Sequence, residues 1–241
     1  MNLYKLELMK IRLSTYLWAA FGIFTGLLAL GILFLFIPQM EAGGSASEEI
    51  EMFTNWNGLL ALITALAFAC FSIFSAVIAT KVIISEYCGK NAVILLSYPI
   101  NRKTMFHIKC FIVSGITIVS AFISNTIVII SMYILAYIFG IMPEINTKYY
   151  FFTVLFSSFF MGIFSSAVGM IATAFGWKKH SVVATIVCSL IIVCLLANWI
   201  AIFPNNILWV ILGMSMILVI IAGFVYHILA NRIEKVVSSN L

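Results

Sequence analysis

The chain has 241 residues, of which 64% are hydrophobic and only 9% are charged, and its formal net charge is +5. Soluble domains carry about 25% charged residues, so this composition indicates a membrane protein and excludes a separate soluble catalytic domain. All 8 acidic residues are Glu, and the sequence has no glycine-rich phosphate loop. We therefore expect a chain that is not an enzyme by itself and that binds no metal or cofactor of its own.

The apolar stretches predict an all-α polytopic membrane protein, with residues 1–241 forming a single transmembrane domain. A helix of about 20 residues crosses a hydrocarbon core of about 30 Å, and these stretches lack the alternation of barrel strands. The last stretch is interrupted by Pro204-Asn205-Asn206, which favours a turn between two spans. The six predicted transmembrane helices cover 16–38, 57–80, 111–139, 149–175, 181–201 and 206–229.

The basic residues predict the orientation of these spans. All but one of the 13 Lys and Arg residues precede the first span, follow the last span, or lie in the second and fourth loops; Lys148 is the exception. Short basic loops are retained in the cytoplasm, so we expect both the N- and C-termini to be cytoplasmic and the protein to be multi-pass in a cell membrane. A basic inner face favours anionic membrane lipids as partners, and nothing indicates nucleic acid binding.

Small and polar residues within the spans indicate where helices approach one another closely. The positions are Gly22 and Gly26 in the first span, Asn125 in the third, and Ser158, Gly162, Ser166 and Gly169 in the fourth. Small residues let helix backbones approach in lipid, where no hydrophobic effect drives helices together. Two interpretations remain open for these positions, namely packing within the chain and a surface for a dimer or for translocation.

The second loop, 81–109, is predicted to contain a short helix at the cytoplasmic membrane surface. Residues 92–96 favour a helix. Tyr98 precedes Pro99, and a residue before proline rarely adopts helical dihedral angles. Asn101 is a suitable N-cap for the helix that leads into the third span. A rigid basic element at this surface suits contact with a soluble partner.

At these residues the chain resembles the type-2 ATP-binding-cassette (ABC) transporter permeases. The resemblance is to the small six-span members related to the export of, or immunity to, bacitracin-like and lantibiotic-like peptides. The residues that match the family's loop are Glu86, Tyr87, Leu95, Leu96, Pro99 and Arg102. Gly89 lies one place early, and Asn91 stands where Thr is common. The span count, length and orientation agree with the family along the whole chain.

The resemblance implies a permease subunit that forms a homodimer or heterodimer and docks separate cytosolic ATPase subunits through this loop, the family's coupling helix. ATP and Mg²⁺ would then bind to the partner ATPase. The expected ATPase-coupling residues are Glu86, Tyr87, Gly89, Leu95, Leu96, Pro99, Arg102 and Lys103. Residues 1–15 would form an interfacial connecting helix. The implied function is ATP-driven export of an amphipathic or hydrophobic substrate, such as an antimicrobial peptide, across a bacterial plasma membrane.

Other classes of function remain open at the level of sequence. An ATP-independent secondary carrier or channel would be indicated by an inverted repeat, interrupted helices or ionisable residues near the middle of a span, and the sequence displays none of these. A membrane enzyme would require clustered catalytic residues. A non-transporting assembly or sensory subunit is compatible with the same sequence.

Overall fold

The computed structural model describes residues 13–40, 55–84, 102–140, 147–179, 181–203 and 206–238. The helices are α1 Leu13–Met40, α2 Trp56–Ala79 with a π-helical turn at Thr80–Ile84, α3 Arg102–Ile138, α4 Thr147–Lys179, α5 Val182–Ile202 and α6 Ile207–Ser238. These described segments contain no β-strand. Six of their helices are long and apolar enough to cross a membrane, which confirms the predicted all-α class and the predicted number of spans.

Helices α2 and α4 form the centre of the bundle. α4 packs against α2, α3, α5 and α6, and α2 also contacts α1, α3 and α5. Between the two central helices, the rings of Phe68 and Phe164 stack with their centroids 4.1 Å apart and their planes at 11°. The outer helices α1, α5 and α6 are much less buried, so most of their apolar surface lies on the outside of the bundle.

The helix bounds differ from the predicted spans most at the start of α3 and at the end of α6, which continues to Ser238 rather than ending at 229. α3 begins at Arg102 rather than at 111, and α2 continues through its π turn to Ile84. With 37 residues, α3 is about 55 Å long and exceeds a hydrocarbon core of about 30 Å. Hydropathy predicts only the part of a helix that lies inside the hydrocarbon. The helix itself can extend past the membrane surface, because its backbone hydrogen bonds also form in water.

Two helix ends have well-defined local causes. α3 ends before Gly140, whose φ of +62° is the left-handed conformation that glycine adopts without steric cost, and its N–H donates to the Tyr137 carbonyl at 3.3 Å. At the tight turn between α4 and α5, the Ser181 N–H donates to the Gly176 carbonyl at 3.2 Å. The Ser181 hydroxyl then accepts from the Ala184 N–H at 3.4 Å as the N-cap of α5.

Candidate functional site

One end of the bundle brings together the π turn, the start of α3, the end of α4, the start of α5 and the last turns of α6. We call it the basic end, because Lys178 and Lys179 are exposed there and because α3 starts with Arg102 and Lys103. The ring of Phe106 in α3 contacts Trp177 in α4, which establishes that the start of α3 and the end of α4 lie side by side. The described residues on either side of the predicted coupling segment, Ile84 and Arg102, lie at this end.

An aromatic cluster fastens three helices together at the basic end. Phe106, which is almost fully buried, stacks on Tyr226 of α6 with centroids 5.6 Å apart and planes at 21°. It meets Trp177 edge to face at 6.2 Å, and the His107 imidazole lies 5.1 Å from the Tyr226 ring. Aromatic pairs of this geometry contribute about 0.5–1.5 kcal/mol each beyond the area they bury. The cluster therefore couples the first turns of α3 to α4 and α6.

The π turn Thr80–Ile84 joins α2 to the predicted coupling segment. The Thr80 hydroxyl donates to the Val77 carbonyl at 2.7 Å, and Ile83 and Ile84 are almost fully buried. The turn packs tightly against α4, since a Cβ added at Gly176 would lie 2.7 Å from the Ile84 Cδ1 atom. Single π turns within helices are uncommon and are frequent at functional sites. The end of α2 is thus anchored in the core up to the last described residue before the segment.

Lys109 occupies a different environment from the one expected for a loop residue. The sequence predicts a loop over 81–109 that includes Lys109, whereas the structure places this residue on the second turn of α3 with no exposed surface. Lys109 is not without a partner inside the protein. A lysine tolerates such a position because its four-carbon stem is apolar and its ammonium group finds partners. Lys109 is therefore an internal residue of the basic end.

Most of the predicted ATPase-coupling residues lie outside the described part of the chain. These are Glu86, Tyr87, Gly89, Leu95, Leu96 and Pro99. Arg102 and Lys103 are the first two residues of α3. The predicted interfacial helix at 1–15 also lies outside the described residues, apart from 13–15, which belong to the first turn of α1.

Two of the polar residues predicted inside the spans, Asn125 and Ser158, meet between α3 and α4. The Asn125 Nδ2 atom donates to the Ser158 hydroxyl at 2.9 Å, and both residues are fully buried. The Asn125 Oδ1 atom has no hydrogen-bond partner among the described residues. Ser166 bonds within its own helix, donating to the Ile163 carbonyl at 2.9 Å. Asn125 thus provides a hydrogen bond between helices in the middle of the bundle.

The predicted glycine positions behave in two ways. A Cβ at Gly169 would lie 2.6 Å from the Cβ of Ser75 in α2, and one at Gly162 would lie 3.1 Å from the Ile118 carbonyl oxygen in α3. A Cβ at Gly22 or Gly26 would meet nothing within 4 Å. The glycines of α4 therefore permit close packing inside the chain, whereas those two glycines of α1 are exposed on the outside of the bundle.

Among the described residues, two of the lateral grooves on the surface of the bundle differ in polarity. One, of about 630 Å³, runs between α1 and α3 and is almost wholly apolar. The other, of about 580 Å³, lies between α3, α4 and α6 and includes polar groups from His107, Ser114, Ser166 and Tyr226. Among the residues that the structure describes, no three His, Cys or Glu side chains lie close enough to hold a metal ion. The chemistry that this surface offers is the binding of apolar or amphipathic molecules.

Three features of the basic end were not predicted from the sequence: the aromatic cluster, the π turn and the groove between α3, α4 and α6. A partial indication was present, because Phe106, Trp177 and Tyr226 each lie within about two turns of a basic helix end, as aromatic residues at membrane interfaces often do. Which aromatic residues touch depends on the rotation of each helix, and the sequence does not specify that rotation.

Comparison with known proteins gives one relative of low identity. The chain is 27% identical over 202 residues to the uncharacterized protein YcbO of Bacillus subtilis (strain 168), covering 82% of this chain and 84% of the relative. No protein-family model matches the chain. No solved structure matches it significantly. The similarity to YcbO extends over most of both chains.

Proposed function

We propose that this chain is the membrane-spanning permease subunit of an ATP-driven exporter whose ATPase is a separate cytosolic protein. The basic end faces the cytoplasm, the permease acts as a homodimer or heterodimer, and the substrate is amphipathic or hydrophobic, with antimicrobial peptides as the favoured class. The cellular location is a bacterial plasma membrane, in agreement with the bacterial source of the similar protein YcbO.

One observation carries the proposal: the described residues on both sides of the segment that resembles a coupling helix are buried in the core of the bundle. On one side Ile83 and Ile84 are buried, and on the other side Phe106 and Lys109 are buried. A displacement of the segment is therefore transmitted to α2 and α3, since neither helix can move at this end without disturbing packed neighbours. A peripheral linker would need no such anchoring.

The packing also supports a path for the movement across the membrane. α2 stacks on α4 through Phe68 and Phe164, and α4 contacts α3, α5 and α6. A push on the π turn would therefore reach α4 and, through it, α3, α5 and α6. Closure of the ATPase subunits on ATP would shift the bundle between two packed arrangements, and this change would open a path for the substrate. The permease contributes the gate, and ATP hydrolysis in the partner contributes the energy.

The proposal predicts that a charge reversal at Arg102 weakens attachment of the ATPase. The tagged chain is purified from its native membrane in mild detergent, and the wild-type protein is expected to recover an ABC-type ATPase, identified by mass spectrometry and by nucleotide hydrolysis. Arg102→Glu should lower this recovery by about tenfold or more, because like charges at an interface repel. Lys148→Glu is the matched control, since Lys148 lies near the start of α4, at the opposite end of the bundle.

Two results would overturn this assignment. One is that the wild-type chain recovers no ATPase although it is inserted and folded. The other is that the chain alone, reconstituted in liposomes, conducts solute rapidly without nucleotide, which would indicate a secondary carrier or a channel. If Arg102→Glu and the control recover equal amounts of ATPase, Arg102 is not part of the docking surface.

A further inference from the structure

The groove between α3, α4 and α6 has the form of a site for a single lipid chain. α4 provides the floor through Ser166, and α3 and α6 provide the walls, because both pack extensively on α4 and only slightly on each other. The stacked rings of Phe106 and Tyr226 join the two walls at the basic end. The volume of about 580 Å³ lies within the usual range for small-molecule sites, which is about 300–1,000 Å³.

The length of the groove favours a narrow occupant over a second transmembrane helix. Along α3 the lining extends from His107 to Ser114, which at about 1.5 Å per residue is about 10 Å. A crossing helix would instead require a seam along much of the span, about 30 Å. The exposed residues Phe111 and Val219 flank the opening, so the groove is entered sideways from the surrounding apolar phase.

Polarity changes along the groove in the way a lipid requires. The imidazole of His107 and the phenol of Tyr226 lie at the basic end, where rings with one polar edge suit the membrane interface. Exposed Lys178 and Lys179 lie at the same end, directly after Trp177 of the aromatic cluster. Farther from this end, the lining is apolar apart from the hydroxyls of Ser114 and Ser166.

We propose that this groove binds one acyl chain of an anionic phospholipid, with the phosphate of its headgroup beside His107, Tyr226 and the two lysines. Burial of the chain provides little net attraction, because the bilayer is equally apolar, so the groove selects by shape. Charge selects the class of headgroup, because lysines near the membrane surface attract anionic lipid. This site does not depend on an ATPase partner and goes beyond the exporter function proposed above.

Two glycines of α6 provide a matched pair of variants. A Cβ at Gly223 or at Gly213 would meet nothing within 4 Å, so the fold has room for a side chain at either position. Gly223 lines the groove and Gly213 does not. Gly223→Leu therefore places four carbon atoms in the groove, whereas Gly213→Leu adds the same atoms to the same helix elsewhere.

The test is native mass spectrometry of the full chain released from nanodiscs that contain phosphatidylglycerol and phosphatidylcholine in equal parts. We expect the wild-type protein to retain one phosphatidylglycerol, with about a tenfold preference over phosphatidylcholine, as two surface lysines can provide. Gly223→Leu should lose this lipid and Gly213→Leu should keep it. Reversing Lys178 and Lys179 to Glu should abolish the preference for the anionic lipid.

Several outcomes would overturn the proposal. Equal retention in the two glycine variants, or lipids released in a broad distribution without preference, would mean that only annular lipid is bound. Full displacement by inorganic phosphate would mean that the site recognises the phosphate without a chain. If Gly223→Leu does not fold, Ser114→Leu blocks the same groove from α3, and lipid retention by that folded variant would equally contradict the assignment.

Discussion

Helices α1 and α4 carry similar patterns of small residues and use them differently. In α4, Gly169 lies against Ser75 and Gly176 lies against Ile84 and Thr185, so close approach of the helices depends on the missing side chains. In α1, Gly22 and Gly26 face open space, and the close contact of this helix is instead at Gly31, where a Cβ would lie 2.8 Å from the Met132 sulfur.

The contrast shows that spacing alone does not tell which small residues hold a bundle together. A G-x-x-x-G pattern permits two backbones to approach, but whether they do depends on where the neighbouring helix lies. α4 is surrounded by four helices, so almost any face of it is used. α1 contacts only α2 and α3 extensively, and Gly22 and Gly26 lie on the face that both neighbours leave uncovered.

The largest effect should come from filling the space at the α2–α4 contact. Gly169→Leu forces a side chain against the Ser75 backbone carbonyl carbon, 3.1 Å from the position of the new Cβ, so the two central helices must separate. We expect a loss of about 3 kcal/mol or more in the free energy of unfolding, at the upper end of overpacking effects. Thermal or denaturant unfolding in detergent micelles measures this loss.

Gly26→Leu is the control for that substitution, because the same four atoms are added where nothing lies within 4 Å. It should unfold at the wild-type midpoint or slightly above it, because a side chain that fits also reduces the freedom of the unfolded chain. If both substitutions destabilise the protein equally, Gly169 of α4 is no more closely packed than Gly26 of α1.

A smaller effect should follow from removing the hydrogen bond between α3 and α4. Asn125→Ala and Ser158→Ala, singly and together, form a double-mutant cycle for the 2.9 Å bond from Nδ2 to the hydroxyl. The expected coupling energy is about 0.6 kcal/mol, with an upper limit of about 1.7 kcal/mol for such bonds in membranes. Unfolding in micelles again provides the measurement. A coupling of zero would show that the bond has no net effect on stability.

A comparably small effect, and one of opposite sign, should occur on the exposed face of α1. Gly22→Ala removes backbone freedom from the unfolded chain without introducing a clash, so we expect a gain of about 0.5–1 kcal/mol in the monomer. The unfolding midpoint of the monomeric micelle-bound protein tests this. Destabilisation would instead mean that Gly22 packs against a surface that the single chain does not supply.

Much of the fold was predictable because it depends on composition. Continuous apolar runs of sufficient length must become helices in lipid, where an unpaired backbone group is costly, and this rule predicts six spans before any contact is known. The same rule misplaces the ends of α2 and α3, because the π turn and the first turns of α3 extend beyond the apolar runs. Lys109 illustrates this discrepancy between the predicted and observed helix ends. Its charge led to the prediction of a loop, but the residue lies in α3 and is fully buried.

The candidate site was less predictable. The loop residues from Glu86 to Lys103 were selected by resemblance, and their coupling role stays a prediction. The anchors of that loop arise from contacts among residues far apart in the chain, such as Phe106 with Trp177 and Tyr226. The groove between α3, α4 and α6 likewise depends on three helices whose lining residues show no shared sequence pattern.

The sequence by itself determined the all-helical class, the number of spans and the concentration of basic residues beside particular span ends. These properties follow from the cost of exposing backbone and charge to hydrocarbon, which acts on each segment separately. Only the tertiary structure decided which helices lie at the centre, which glycines pack closely and which polar groups share a groove. Those outcomes depend on the rotation and position of each helix relative to the others, and they are set by side-chain packing among all six helices at once.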